Sequence, residues 1–202
     1  MTIKIPEPFF SKGFKPLLFV LALLPVALLA YGAWADSLGA NPIETITRDT
    51  GEWALRFLLI TLSVSTLRRI VGWSQLIKLR RMLGLFAFFY ATLHLFTYLW
   101  LDQFFWWEEI LADIIKRPFI TVGMLAFMLL IPLAVTSTNG MMRRLKKNWI
   151  KLHKLIYPIA SLGVLHFFWL VKADYREPII YLIVLSLLFA ERIWHSLKTK
   201  RI

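Results

Sequence analysis

The stretch Trp149 to Lys172, WIKLHKLIYPIASLGVLHFFWLVK, is an apolar segment of membrane length that carries two histidines, His153 and His166. Lipid cannot satisfy the hydrogen bonds of an imidazole, so a histidine at that depth faces a partner, a cavity or a cofactor. Ligation of a metal is one such use.

The composition around this segment is of the same kind. Hydrophobic residues make up 58% of 202 positions, and the mean hydropathy is +0.64. Those values describe an all-α polytopic membrane protein rather than a soluble domain. The chain has no cysteine, which excludes disulfides, thiolate metal sites and iron-sulfur clusters. Any metal or haem must then be held by other ligands, of which four histidines are the natural ones. The net charge of +12 does not point to nucleic acid, because the basic residues cluster beside apolar spans and mark one side of a membrane.

Outward from the central segment, six spans are expected, over residues 17–34, 53–67, 82–100, 118–135, 149–171 and 178–194, forming one domain over 1–202. A basic leader with Lys4, Lys12 and Lys15 precedes the first. Ala33-Trp34-Ala35 resembles a signal-peptidase site, but the apolar run is too long for a signal core, so an uncleaved helix is expected. Residues 36–51 read as a polar loop. Arg56 lies one turn inside the second span and pairs with Glu52, four residues earlier. Residues 101–117 read as an acidic, Trp-rich loop, Pro118 opens the fourth span and Pro132 is expected to bend its end. No strong internal repeat and no nucleotide-binding fingerprint is present.

Counted by side, 18 of the 24 Lys and Arg fall on the leader side, and of the 12 acids only Glu7 and Glu191 do. That side is therefore cytoplasmic, with both termini on it.

The third and fifth spans then run the same way, and sequence offsets convert to depth. His94 stands about 20 Å beyond Arg81 and His166 about 18 Å beyond Lys154 along ideal helices. Two imidazoles at one level on two helices are the arrangement that grips a haem from both faces, each neutral nitrogen on the iron. A lone histidine in a membrane helix is otherwise a donor that bridges helices. His153 is about 20 Å below His166 and about 140° away around the axis, with Pro158 between them. At its depth the third span offers Arg80 and Arg81, so an inner haem would leave His153 with an unusual or absent second ligand, and a flavin role or an interfacial histidine among lysines are the other readings. His195 borders the basic tail and reads as solvated. Phe86, Phe88, Phe89, Phe96, Phe167 and Phe168 could wall a porphyrin or simply pack. Lys172 and Arg176 suit either haem propionates or headgroups.

Three segments, LRRMLGLFAFFYATLH (Leu79 to His94), LAVTS (Leu133 to Ser137) and WIKLHKLIYP (Trp149 to Pro158) with the LHFFW that follows, resemble the MsrQ family, formerly YedZ. NPIE and GEWAL around the second span add to the match, which covers nearly the whole chain. This family comprises haem-binding membrane subunits of the periplasmic protein-methionine-sulfoxide reductase system, within the ferric-reductase-like transmembrane domains. The resemblance implies an inner-membrane protein with heme b and FMN, fed by the quinone pool or a cytosolic flavin reductase. It also implies that electrons pass to a periplasmic molybdopterin-dependent enzyme that repairs methionine sulfoxide in oxidised proteins.

His94, His153 and His166 fall on the family's histidine positions. Unlike the related NADPH oxidases, the chain has Arg80 near the place of the lower histidine of the third span, and no nucleotide-binding domain is expected after the sixth helix. No acid, base or nucleophile constellation is visible, so the chain reads as an electron-transfer subunit rather than a stand-alone catalyst. The alternatives are a self-sufficient ferric or quinone reductase and a non-redox transporter or structural membrane subunit.

Overall fold

The computed structural model describes residues 13–199. The leader residues Lys4, Glu7 and Lys12, the tail residues Lys200 and Arg201 and both termini lie outside the described residues. Among the described residues the chain is helical, with no strand. Four helical segments are long and apolar enough to cross a membrane: Phe14–Trp34, Ser74–Asp102, Pro118–Val135 and Arg176–Lys198.

The first helix, α1, spans Phe14–Trp34 and carries Pro25 inside it. The second, α2, runs over Pro42–Val71 and starts well before the span read from sequence. Its polar first turns look like a loop by composition, but the local signals favour a helix. The Asn41 side chain accepts from the Glu44 N–H at 3.3 Å and donates to the Glu44 carboxylate at 3.0 Å, while Pro42 fills the first helical position. At the other end Gly72, at φ 78°, supplies the left-handed stop.

A 3-10 turn over Ser74–Leu79 leads into α3, Arg80–Phe96, which continues as a π turn over Thr97–Asp102. The acidic stretch is not all loop, because it contains α4, Trp107–Lys116. Next come α5, Pro118–Val135, with Pro118 at its start, and the short α6, Asn139–Leu145. The segment expected as one continuous fifth span is broken into α7, Lys147–Leu152, a 3-10 turn over His153–Leu155 and α8, Ile156–Leu170. Pro158 accounts for the break: its ring crowds the carbonyl four residues back, at Lys154, so the regular ladder fails there. The last helix, α9, spans Arg176–Thr199.

Helix α2 lies at the centre and packs against α1, α3, α8 and α9, while α5 packs on α8. Close approach is set by small side chains, Ala87 on α3 and Ala160 on α8, both fully buried beside Leu62 and Ile159. Aromatic rings fill the α2/α3 seam, with Phe57 stacked on Phe86 at 5.5 Å and on Tyr90 at 5.4 Å. Tyr90 also ties down α1. Its hydroxyl donates to the Ala22 carbonyl at 2.8 Å and accepts from the Val26 N–H at 3.2 Å, the pair that an unbroken helix joins directly. Pro25 already weakens the ladder at that turn.

Candidate functional site

His94, near the end of α3, and His166, near the end of α8, face one another with ring centres 6.0 Å apart and planes at 80°. Each ring is fixed from behind by a backbone carbonyl. His94 Nδ1 lies 2.8 Å from the Thr47 carbonyl on α2, and His166 Nδ1 lies 2.6 Å from the Phe119 carbonyl on α5. A carbonyl only accepts, so Nδ1 carries the hydrogen in both rings and the opposite nitrogen keeps its lone pair.

These carbonyls are reachable because each stands one turn below a glycine. In a helix the side chain at i+4 overhangs the carbonyl at i, and at both places that residue has none. A Cβ on Gly51 would stand 2.9 Å from the His94 ring, and one on Gly123 would stand 2.7 Å from the His166 ring. Neither contact is possible without movement, so the glycines are what admit the imidazoles.

The two half-sites are copies in construction. Thr47, Gly51 and His94 recur 72 positions later as Phe119, Gly123 and His166, and each histidine reaches back 47 residues to its carbonyl. The sequence carries no strong internal repeat, and the repetition is one of geometry, with few identical side chains.

Both rings line a cavity of about 340 Å³, whose walls are mainly apolar and include Leu55, Leu58, Phe127, Leu130, Ile159 and Phe167. That volume falls within the range of ligand sites. Its polar lining includes both histidines, Glu52, Arg48 and Arg117. A larger, more polar cavity of about 950 Å³ adjoins it, sharing Arg48, His94, Asp102 and Phe167 and adding Lys172 and Arg176. Among the described residues no three His, Asp or Glu side chains gather as a bare metal site. A pair of imidazoles suits a metal whose remaining ligands come from a macrocycle.

Glu52 is nearly buried and accepts from Arg48 Nε at 3.1 Å and from Arg56 Nη2 at 2.6 Å. Arg56 also donates to the Tyr181 hydroxyl at 3.0 Å, so the Arg56–Glu52 pair read from sequence is present and structural. Arg176 is held by Asp174, Nη2 to Oδ2 at 2.6 Å, in the loop before α9. This guanidinium keeps the Asp174 carboxyl down at about 2.

His153 is elsewhere and differently held. It stands at the 3-10 turn before α8, stacked on Trp149 at 3.9 Å, with Nε2 3.1 Å from the Thr136 hydroxyl. That hydroxyl donates to the Pro132 carbonyl at 2.6 Å, so the ring's Nε2–H donates to Thr136. Arg80 lies within Coulombic range of His153 and has no ion-pair partner among the described residues. The structure thus brings His94 and His166 together and keeps His153 and Arg80 apart from them. His195 is exposed.

Residues 50–164 match the family described as ferric reductase like transmembrane component. The chain belongs to the ferric-reductase-like transmembrane family. Within this family it is similar to proteins named protein-methionine-sulfoxide reductase heme-binding subunit MsrQ. One, from Xanthomonas campestris pv. campestris (strain 8004), is 55% identical over 185 residues, covering 89% of this chain and 85% of that one. Another, from Herminiimonas arsenicoxydans, is 56% identical over 183 residues, covering 89% and 84%. A third, from Xanthomonas axonopodis pv. citri (strain 306), is 52% identical over 193 residues, covering 93% and 88%. No solved structure matches the chain. The ferric-reductase-like match takes in α3, α5 and most of α2 and α8, the four helices that enclose the cavity, and makes the chain a membrane protein.

Proposed function

We propose that the chain is the haem b electron-transfer subunit of a protein-methionine-sulfoxide reductase system, with His94 and His166 as axial ligands of one haem. The spacing of the two rings carries this reading. Two nitrogen-to-metal bonds of about 2 Å, each with about 1 Å more to its ring centre, put bis-imidazole ring centres about 6 Å apart, against the 6.0 Å observed. The name borne by relatives more than half identical to the chain supports it further.

Haem held there supplies one-electron storage. The chain's own residues supply the rest. The Thr47 and Phe119 carbonyls hold both imidazoles in the ligating tautomer and raise their basicity. Leu55, Leu58, Phe127 and Ile159 keep water from the ring faces. Of the cations around the two cavities, Lys172 has no ion pair among the described residues and suits an anionic edge of the cofactor, whereas Arg176 is committed to Asp174.

In the proposed topology six spans cross the bacterial inner membrane as a single domain over 1–202. They are α1, α2, α3, α5, α7 with α8, and α9, with both termini cytoplasmic. Electrons enter from the quinone pool or from a cytosolic flavin reductase, with FMN on the inner side, and leave to a periplasmic molybdenum-cofactor partner. His153 and Arg80 mark the inner site where FMN or a second haem would bind. With Nε2–H given to Thr136, ligation by His153 falls to Nδ1 of a ring packed against Trp149, and one haem per chain is the expected stoichiometry.

The test is the absorption spectrum of the detergent-purified protein, oxidised and dithionite-reduced, with haem quantified per polypeptide. Reduced b-type bands that vanish in both His94→Ala and His166→Ala support the assignment. A colourless wild type after haem-replete expression overturns it.

A further inference from the structure

At the end of the bundle opposite the paired histidines, three guanidinium groups from three helices converge on Tyr157. The Cζ of Arg192, on α9, lies 5.3 Å from the centre of the Tyr157 ring. Arg69 on α2 and Arg80 on α3 are each within Coulombic range of Tyr157 and of Arg192. The one carboxylate among the described residues at this end is Glu191, and it is already engaged. It accepts from Arg69 Nε at 2.7 Å and from the Thr66 hydroxyl at 2.9 Å.

Two cations are left over. Arg192 donates through Nη2 to the Leu62 carbonyl at 2.5 Å, but its Nη1 is buried with no partner among the described residues. Arg80, half-buried at the start of α3, has no hydrogen bond or ion pair there either. A buried guanidinium edge lacking an acceptor, with a second unpaired guanidinium within Coulombic range, is a costly arrangement that a multivalent oxyanion relieves. The cluster also sits at helix ends, where a bundle meets the phosphate layer of the bilayer, and basic pockets between helices at that level take up anionic headgroups.

We infer that Arg80 and Arg192, with Tyr157 holding Arg192 in place, form a binding site for a phosphate-bearing anion, drawn from an anionic phospholipid headgroup or from soluble phosphate. The inference shares Arg80 with the inner site proposed above and is independent only of the His94/His166 haem, none of whose residues takes part.

The experiment is native mass spectrometry of the full chain in mild detergent, titrated with equal amounts of phosphatidylglycerol and phosphatidylcholine. A second titration adds inorganic phosphate. Wild type is expected to retain phosphatidylglycerol about fivefold or more over phosphatidylcholine. Arg192→Gln and Arg80→Gln each bring the ratio close to one, while Arg143→Gln, on the exposed α6, leaves it unchanged. Displacement of the bound lipid by millimolar phosphate, or direct phosphate adducts lost in the same variants, identifies soluble phosphate as the ligand; resistance to phosphate identifies the headgroup. Arg80→Gln breaks no hydrogen bond among the described residues, so it decides the matter if Arg192→Gln fails to assemble. Equal retention of both lipids with no phosphate adduct in wild type, or a preference that survives both substitutions, overturns the site.

Discussion

The two ends of the bundle use histidine in opposite ways. At one end His94 and His166 are tied through Nδ1 to backbone carbonyls, leaving the other nitrogen of each ring toward a cavity. At the other end His153 gives Nε2 to a side-chain hydroxyl and lies flat beneath Trp149. A backbone anchor is rigid and indifferent to side-chain identity, so it can be built twice from sequences that share little. The hydroxyl anchor turns the ring the other way, holding it by Nε2 and leaving Nδ1 as the lone-pair nitrogen of a ring packed against Trp149. Residue type alone would make these three histidines equivalent, but depth and what stands behind each ring separate them.

The sharpest way to break this contrast is to remove a ring from the open pair. His94→Ala or His166→Ala should abolish the reduced b-type bands, whereas His153→Ala should leave them and the haem content intact. Loss of haem in the third variant would place a ligand where the structure shows a packed ring.

The glycines give the next largest effect. Gly51→Val and Gly123→Val push into the ring behind which each carbonyl waits, and haem content per polypeptide should fall roughly tenfold, the order expected when the support of a ligating histidine is lost. Gly163→Ala is the control. Its added Cβ meets Leu55 at 3.4 Å and Leu58 at 3.9 Å, both ordinary contacts, and haem content should stay near wild type. Equal losses from all three would mean that the glycines serve helix packing alone.

A change away from both histidine sites should be smaller and purely structural. Tyr90→Phe removes the hydroxyl that bridges Ala22 and Val26, for an expected cost of about 1–3 kcal/mol and no change in the haem spectrum. Thermal unfolding followed beside the absorption bands separates the two readouts.

The smallest effect belongs to the exposed pair beside the outer cavity. Asp174 is held at about 2 by Arg176, below an unfolded value near 4. A lowered carboxyl value contributes stability above about pH 4 and loses it as the pH falls toward 2. Asp174→Asn should therefore be slightly less stable than wild type at neutral pH, and the gap should close over that interval. A gap that persists at pH 2 would assign the effect to the loop backbone instead.

Much of the fold could be read from apolar run lengths, and the pairing of His94 with His166 from helical rise alone. Other features could not. The first turns of α2 are rich in Thr, Arg and Asp, and only the Asn41-Pro42-Ile43-Glu44 cap marks them as helix. The break before α8 is caused by Pro158 but appears four residues upstream, over His153–Leu155. Gly51 and Gly123 act on carbonyls at 47 and 119, and their value exists only once α3 and α8 cross them. A search for glycines 72 positions apart, matching the interval between the histidines, is the one sequence signal that would have found them.

The tie between α1 and Tyr90 also bears on how the protein is assembled in the membrane. During synthesis α1 reaches the bilayer before α3 exists, and its Val26 N–H must then bond within its own helix. When α3 arrives, the Tyr90 hydroxyl meets both ends of that turn, accepting from the Val26 N–H and donating to the Ala22 carbonyl. The first helix is thus captured at the one turn that Pro25 leaves loose, by a single hydroxyl that meets a donor and an acceptor together.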